Sequence, residues 1–259
     1  MPQIVTLLSD FGMQDSYVAE MKAVLMPLPR LRIVDITHQV PPQDIRTGAF
    51  QLLRSYRWFP RGTWHIAVVD PGVGTSRKAL YVETRDYCFV GPDNGVLLWA
   101  VRDAEKRDFQ PARAFEIVVP KEASTTFHGR DVFAQFVAAS LKEKPQRLQK
   151  VEFLSGDPFP APVKKKHEYE GQILTRDYFG NAITSISAEV GFDVLGEVGA
   201  RGAKLKSYPN YEKIPAGTAG LIRGSHGFWE LACRNESAWD LLKLHAGSPI
   251  TITTLDALP

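Results

Sequence analysis

Ile4-Val5-Thr6-Leu7-Leu8 is an unbroken apolar and β-branched run that stops at Ser9-Asp10-Phe11-Gly12, and from about Ser16 the residues Val18, Met21, Ala23 and Leu25 carry a helical pattern. The stretch reads as strand, loop and helix. The same order returns further along. Leu31 to Ile36 ends in Thr37-His38, and after Pro41-Pro42 the segment from Asp44 to Phe59 has helical spacing. A third run, Trp64 to Val69, ends at Asp70-Pro71-Gly72-Val73-Gly74. Strands alternating with helices predict an α/β domain whose mainly parallel sheet is flanked by helices, with ligands at the carboxyl ends of the strands.

Two extended runs between Ala79 and Val90 flank Arg85-Asp86 and predict a hairpin, and Gly91-Pro92-Asp93-Asn94-Gly95 is dense turn chemistry with a helix expected from Asn94. Another helix is expected from about Arg130 to Lys142, entered from the loop Ser124 to Gly129. Composition changes at Ser155-Gly156-Asp157-Pro158-Phe159-Pro160-Ala161-Pro162, where glycine and three prolines disfavour helix interiors and central strands. A boundary there gives an α/β domain over 1–158 and a second domain over 165–259. In the latter, short β runs (Tyr169 to Thr175, Ala182 to Ile186, Leu221 to Arg223, Phe228 to Cys233, Ile250 to Thr254) point to a small β-barrel.

At 259 residues, 44% hydrophobic and 23% charged, the chain has the composition of a packed globular protein, not of a disordered or fibrous one. Its net charge of +2, with Lys164-Lys165-Lys166 as the one basic run, argues against a nucleic-acid partner; that run reads as a solvated linker. Cys88 and Cys233 lie far apart without ligand-like spacing, so neither a disulfide framework nor a zinc site is expected. With no basic region followed by an apolar stretch at Met1-Pro2-Gln3 and no run of membrane-spanning length, a cytoplasmic protein without a membrane partner is expected.

Several polar residues fall at the predicted strand ends and loops. Asp10, beside Phe11 and Gly12, could accept hydrogen bonds from a diol such as a ribose, or cap a turn. Asp70 is followed by a loop stiffened by proline and opened by glycines, with Arg77 beyond it; the two could form a catalytic or a purely structural ion pair. His128, in Phe127-His128-Gly129-Arg130-Asp131, could present one ring nitrogen to a ligand or satisfy a structural hydrogen bond. In the second domain, Asp177-Tyr178-Phe179-Gly180-Asn181 sets an acceptor, an aromatic face and an amide together, suited to a purine and an ammonium group or to a hairpin loop. Ser225, in Gly224-Ser225-His226-Gly227, sits in a tight turn or in a cradle for a carboxylate.

Together these segments resemble the SAM hydroxide adenosyltransferase family, which is related to fluorinating and chlorinating SAM enzymes. The carriers are Ser9 to Gly12 with Asp15, Tyr17, Met21 and Lys22, then Asp35-Ile36-Thr37-His38, Val68 to Gly74, Gly91 to Gly95, Phe127 to Asp131 and Asp177 to Asn181. The resemblance implies a seven-stranded amino-terminal α/β domain, a carboxyl-terminal β-barrel, and a homotrimer binding SAM between one subunit's first domain and its neighbour's second. It implies hydrolysis of SAM, the substrate, to adenosine and methionine by water or hydroxide attack at C5′, with no cofactor and no metal. Asp70, Arg77 and His128 match the family's catalytic set. Asp10 matches the ribose ligand, Asp177 the ammonium ligand, Asn181 the adenine ligand, Phe179 the wall of the adenine pocket and Ser225 the methionine carboxylate ligand. Pro42-Gln43 and His226 depart from the family pattern, and Glu230 matches a recurring acidic position without an assigned role. Three other readings stand beside this one: a SAM-dependent halogenase, which the Asp70 carboxylate disfavours by repelling halide; a metal-dependent hydrolase with Asp10, Asp70 and His128 as ligands; and a SAM or adenosine sensor without turnover.

Overall fold

Strand β1 (Gln3–Ser9) is buried continuously from Val5 to Ser9, so its sequence is an unbroken apolar run and not an alternation. It lies parallel to β2 (Leu31–Thr37) on one side and β3 (Thr63–Val68) on the other. The hairpin is present as β4 (Ala79–Glu83) and β5 (Tyr87–Pro92), with β5 parallel to β3. Strands β6 (Arg113–Ile117) and β7 (Leu148–Val151) extend the antiparallel side, giving a seven-stranded sheet of order β2-β1-β3-β5-β4-β6-β7. The structure is a computed structural model describing residues 3–144, 146, 148–152, 154–157, 161–191, 193–199 and 202–255. The chain divides into two compact units, 1–158 and 159–259. Met1, Pro2 and residues 158–160 of the proline-rich boundary segment lie outside the described residues.

Helices α1 (Tyr17–Leu25), α2 (Ile45–Ser55), α3 (Leu98–Asp108) and α4 (Gln135–Leu141) cover the first sheet. Successive β1 side chains feed different cores. Leu7 packs with Met21, Leu25, Phe133 and Phe136, whereas Leu8 packs with Leu52, Tyr56, Phe89 and Val101. Leu7 is fully buried, and its truncation to alanine is worth about 2–5 kcal/mol.

Three expected helices start or end differently. The Asp44–Phe59 segment is capped by Asp44, which accepts from Thr47 N at 3.0 Å, but α2 gives way to a 3-10 turn at Tyr56–Trp58. The helix expected from Asn94 begins at Leu98, because the Asn94 side chain is engaged elsewhere: Nδ2 donates to Val69 O at 2.8 Å and Oδ1 accepts from Val96 N at 3.2 Å. The helix expected from Arg130 opens as a π-helix, Gly129–Ala134, before α4.

The second unit is antiparallel. Its strands are β8 (Val163–Lys165), β9 (Glu168–Arg176), β10 (Ala182–Ser187), β11 (Val194–Val198), β12 (Ala203–Lys206), β13 (Ala219–Arg223), β14 (Phe228–Cys233) and β15 (Pro249–Thr254). The order β12-β11-β15-β9-β10-β14-β13 nearly closes, since Tyr208, just beyond β12, donates its N–H to Leu221 O at 2.8 Å. Ile173, Leu231, Ile252 and the fully packed Trp229 fill the barrel. The lysine run is not a linker. Lys164 and Lys165 belong to β8, an exposed strand paired with β9, where Lys165 bonds Glu170 at 2.7 Å; charge on a short edge strand discourages further strand pairing.

Candidate active site

Ser9 is in register with Val68, so Asp10 and Asp70 follow neighbouring parallel strands on the same edge of the first sheet. Beyond Asp70 the chain turns tightly: Val73 N donates to Asp70 O at 3.2 Å, and Thr75 Oγ1 to Gly72 O at 2.7 Å. Gly74 has φ +75°, and a Cβ there would run into the Thr125 carbonyl. Only glycine allows that approach without strain, and it brings the Asp70 turn against the loop that carries His128.

The consequence is a cluster of three side chains. Arg77 bonds both Asp70 oxygens, through Nε to Oδ1 at 3.0 Å and through a shorter Nη2 to Oδ2 contact, while Nη2 also stands 2.8 Å from His128 Nδ1. Only 9% of the Arg77 side chain and 5% of Asp70 are exposed, a degree of burial at which loss of either partner leaves a poorly solvated charge. The guanidinium also lies over the Phe133 ring at 5.6 Å. Burial, and next to it the charge of Arg77, holds the His128 pKa below its usual 6.5. A neutral His128 accepting at Nδ1 carries its hydrogen on Nε2, which has no hydrogen-bond partner among the described residues. The arrangement therefore offers a fixed carboxylate, a guanidinium and one imidazole N–H. Arg130 and Asp131, the neighbours of His128, pair with each other at 2.6 Å, and Arg130 also reaches Glu20.

Asp10 accepts from Gln43 N at 2.8 Å, and Gly12 N donates to His38 O at 2.7 Å, so the loops after β1 and β2 are tied together. Beneath them Ser9 Oγ meets His38 Nδ1 at 2.7 Å, His38 Nε2 lies 3.1 Å from Asp35, and Asp35 pairs with Lys22 at 2.5 Å. Ser9 and His38 are 1% and 3% exposed, which leaves them no access to a substrate and gives them a part in holding the Asp10 loop.

In the second unit, Asp177 Oδ1 accepts from the N–H groups of Phe179 and Asn181, each at 2.9 Å, and Asn181 Nδ2 donates to Asp177 Oδ2 at 2.8 Å. Phe179 is 77% exposed and Tyr178 is 98% exposed. Ser225 is exposed in the β13–β14 turn, where Gly227 has φ +90°. A hydrogen-bonded set centred on the buried Glu230 joins these loops: Tyr211 donates to Glu230 Oε1 at 2.6 Å, and His226 Nε2 lies 2.8 Å from Glu230 Oε2. Tyr211 carried no signal in the sequence, and Glu230 stood out only by matching a recurring acidic position in the resemblance, with no role assigned to it. The structure thus gathers Asp70, Arg77 and His128, places Asp10 on the adjacent strand end, and sets Asp177, Phe179 and Asn181 in one loop of the other unit with Ser225 in a second. Among the described residues no group of three or more His, Cys, Asp or Glu is placed to hold a metal ion, and no helix is long and apolar enough to cross a membrane.

Residues 5–151 match the SAM hydroxide adenosyltransferase N-terminal domain, and residues 171–251 match the corresponding C-terminal domain. The chain is 40% identical, over 96% of its length and 98% of the relative's, to the (R)-S-adenosyl-L-methionine hydrolase of Thermus thermophilus. It is 31% identical to the protein of the same name from Salinispora arenicola, over 96% and 97% of the two chains. Fluorinases match at lower identity. A solved structure of an uncharacterized conserved protein from Thermotoga maritima superposes with a TM-score of 0.83 at 31% identity, covering 96% of this chain and 99% of that one.

Proposed function

This chain belongs to the SAM hydroxide adenosyltransferase family, and from that premise we propose that it is an S-adenosyl-L-methionine hydrolase in which water displaces methionine from C5′ of adenosine. The water oxygen forms a bond to C5′ as the C5′–S bond breaks. The electron pair of that bond neutralises the sulfonium to the methionine thioether, and the proton released by the water passes to a base or to solvent. A sulfonium is a good leaving group, so the protein's task is to orient the water, hold the reacting atoms in line and exclude competing solvent.

The observation that carries this reading is the Arg77 guanidinium bonded at once to both Asp70 oxygens and to His128 Nδ1. Asp70 has lone pairs left to accept from a water, and Arg77 holds that carboxylate in one orientation. His128, its Nδ1 already accepting, donates through Nε2 to the water oxygen; it orients the nucleophile, and the acceptor role falls to Asp70. A halide in the same place would face the Asp70 carboxylate, which disfavours the halogenase reading. A metal held by Asp70 and His128 would compete with the Arg77 cation for the atoms it bonds, which disfavours the metal-dependent one.

In this reading Asp10 holds the ribose hydroxyls, Asp177 the ammonium, Asn181 the adenine, Phe179 the face of the purine and Ser225 the carboxylate. The protein acts as a homotrimer in which different copies supply the two halves of each site. The exposed pair Tyr178 and Phe179 supports association, since two adjacent aromatic rings left in water are unfavourable. The free thiols Cys88 and Cys233 support a reducing, cytoplasmic setting.

Chelator-treated protein incubated with SAM in halide-free ¹⁸O water tests the chemistry. Adenosine labelled at its 5′ oxygen, formed together with methionine, is the expected result. A 5′-halo nucleoside on adding chloride, or turnover abolished by the chelator, would overturn it. Because the relatives are named for the (R) form, the two sulfonium epimers are assayed separately, and faster turnover of the (R) epimer is expected.

A further inference from the structure

Glu230 lies on β14 with 4% of its surface exposed, in register with Ile183 of β10 and Ile222 of β13. A carboxylate so placed is costly unless its oxygens are bonded, and both are: Oε1 accepts from Tyr211 OH at 2.6 Å and Oε2 meets His226 Nε2 at 2.8 Å. The donor in the second contact follows from its surroundings. His226 Nδ1 accepts from the Phe228 N–H at 3.2 Å, so a neutral ring carries its hydrogen on Nε2 and gives it to Glu230. A Cβ on Gly224 would strike both the His226 ring and Glu230 Oε2, so the turn that presents Ser225 closes directly onto this set. On the other side the Tyr211 oxygen stands 3.5 Å from Asn181 Nδ2, the amide that also bonds Asp177. The 3-10 turn Tyr211–Lys213 and the 224–227 turn thus meet at one carboxylate, and the 177–181 loop reaches it through the Tyr211 hydroxyl.

We propose that Glu230 is a positioning residue for the substrate: through His226 it sets the Ser225 turn and through Tyr211 it sets the Asp177–Asn181 loop, so the groups that hold the carboxylate, the ammonium and the adenine of SAM keep one spacing. This rests on the hydrolase reading above. Barrel stability alone does not call for such a set, because apolar residues of similar volume would fill the same space without the desolvation penalty.

Steady-state kinetics on SAM with the full-length protein provide the test, comparing wild type with Glu230→Gln and Tyr211→Phe. Glutamine offers one acceptor oxygen where glutamate offers two, so the Tyr211 hydroxyl or the His226 N–H loses its acceptor; Tyr211→Phe cuts only the link toward Asn181. Misplacement of binding groups should raise KM about tenfold in both variants while kcat stays within about threefold of wild type. A merely structural role predicts the reverse, a reduced active fraction and lower Tm at unchanged KM, and that result overturns the proposal. If Glu230→Gln does not fold, Tyr211→Phe decides by the same criterion. A wild-type protein inert toward SAM overturns the hydrolase reading and this proposal with it, whereas active wild type with KM unchanged in the variants overturns this proposal alone.

Discussion

Arg77 Nη2 stands 2.8 Å from His128 Nδ1, two residues 51 positions apart, and this contact decides which way the imidazole faces. Protonating His128 would put a hydrogen on Nδ1 against the guanidinium that now donates to it. Burial and then Arg77 hold the His128 pKa below 6.5, so the neutral ring prevails above that pH. If neutral His128 orients the water, kcat/KM loses activity on acidification with a midpoint below pH 6.5, as the ring gains its proton. A pH-rate profile with an acid limb centred above 6.5 that disappears in His128→Gln would contradict this assignment.

Asp70 and Asp10 are expected to separate chemistry from binding. Asp70→Asn keeps one acceptor for the buried Arg77 but lacks the carboxylate, and should lower kcat about a thousandfold with the SAM dissociation constant changed only a few-fold. Asp10→Ala should weaken SAM binding about tenfold and leave kcat near wild type. Titration calorimetry on both variants beside single-turnover rates distinguishes the two, and an interchange of the effects would remove the proposed roles.

Gly74→Ala should damage the site from outside it. At φ +75° and against the Thr125 carbonyl, the added methyl group meets both backbone strain and a steric clash. A loss of about 2 kcal/mol or more in denaturant stability is expected, with a fall in kcat as Arg77 moves from His128. Unchanged stability and kcat would show that the approach of the two loops is not required.

His65 makes acid stability measurable apart from activity. Its ring is fully buried, with Nδ1 on Thr6 Oγ1 at 2.7 Å, and burial pushes its pKa down to about 3 from 6.5. Between those values the unfolded chain binds a proton that the folded chain refuses, so this contribution to stability is complete above pH 6.5 and shrinks as pH falls toward 3. The slope is about 1.4 kcal/mol per pH unit for one proton. Chemical denaturation of wild type and His65→Leu from pH 7 to pH 4 should show that slope reduced by about one proton in the variant, whatever its overall loss of stability.

The order of elements in the first unit was legible because its signals are local. Leu7 and Leu8 face opposite cores of a buried parallel strand, and such a strand announces itself as an apolar run. The start of α3 at Leu98 was not legible, since Asn94 looks like a helix start until Val69 supplies the carbonyl it bonds. Strands β11 and β12 were not legible: they are short and carry glycine and lysine among their apolar residues, and although they pair with each other, the hairpin is held in the sheet by the pairing of β11 with the remote β15. Lys164 and Lys165 looked like linker residues because a three-residue, lysine-rich and exposed strand carries no apolar alternation; it exists by virtue of its pairing with the adjacent β9.

By itself the sequence determined the strand-loop-helix order, the barrel-like second half, and the residue types Asp70, Arg77, His128, Asp10, Asp177, Asn181 and Ser225 standing in the motifs that place the chain in its family. The element order follows from apolar runs, turn residues and spacing, which act over a few positions, and the site residues from the resemblance of their motifs to the family. Only the tertiary structure decided that Arg77 joins Asp70 to His128 and that Glu230 joins Tyr211 to His226. Such contacts depend on which strands lie side by side and where a glycine lets two loops touch, and that is set by the packing of the whole sheet and not by any stretch of chain within it.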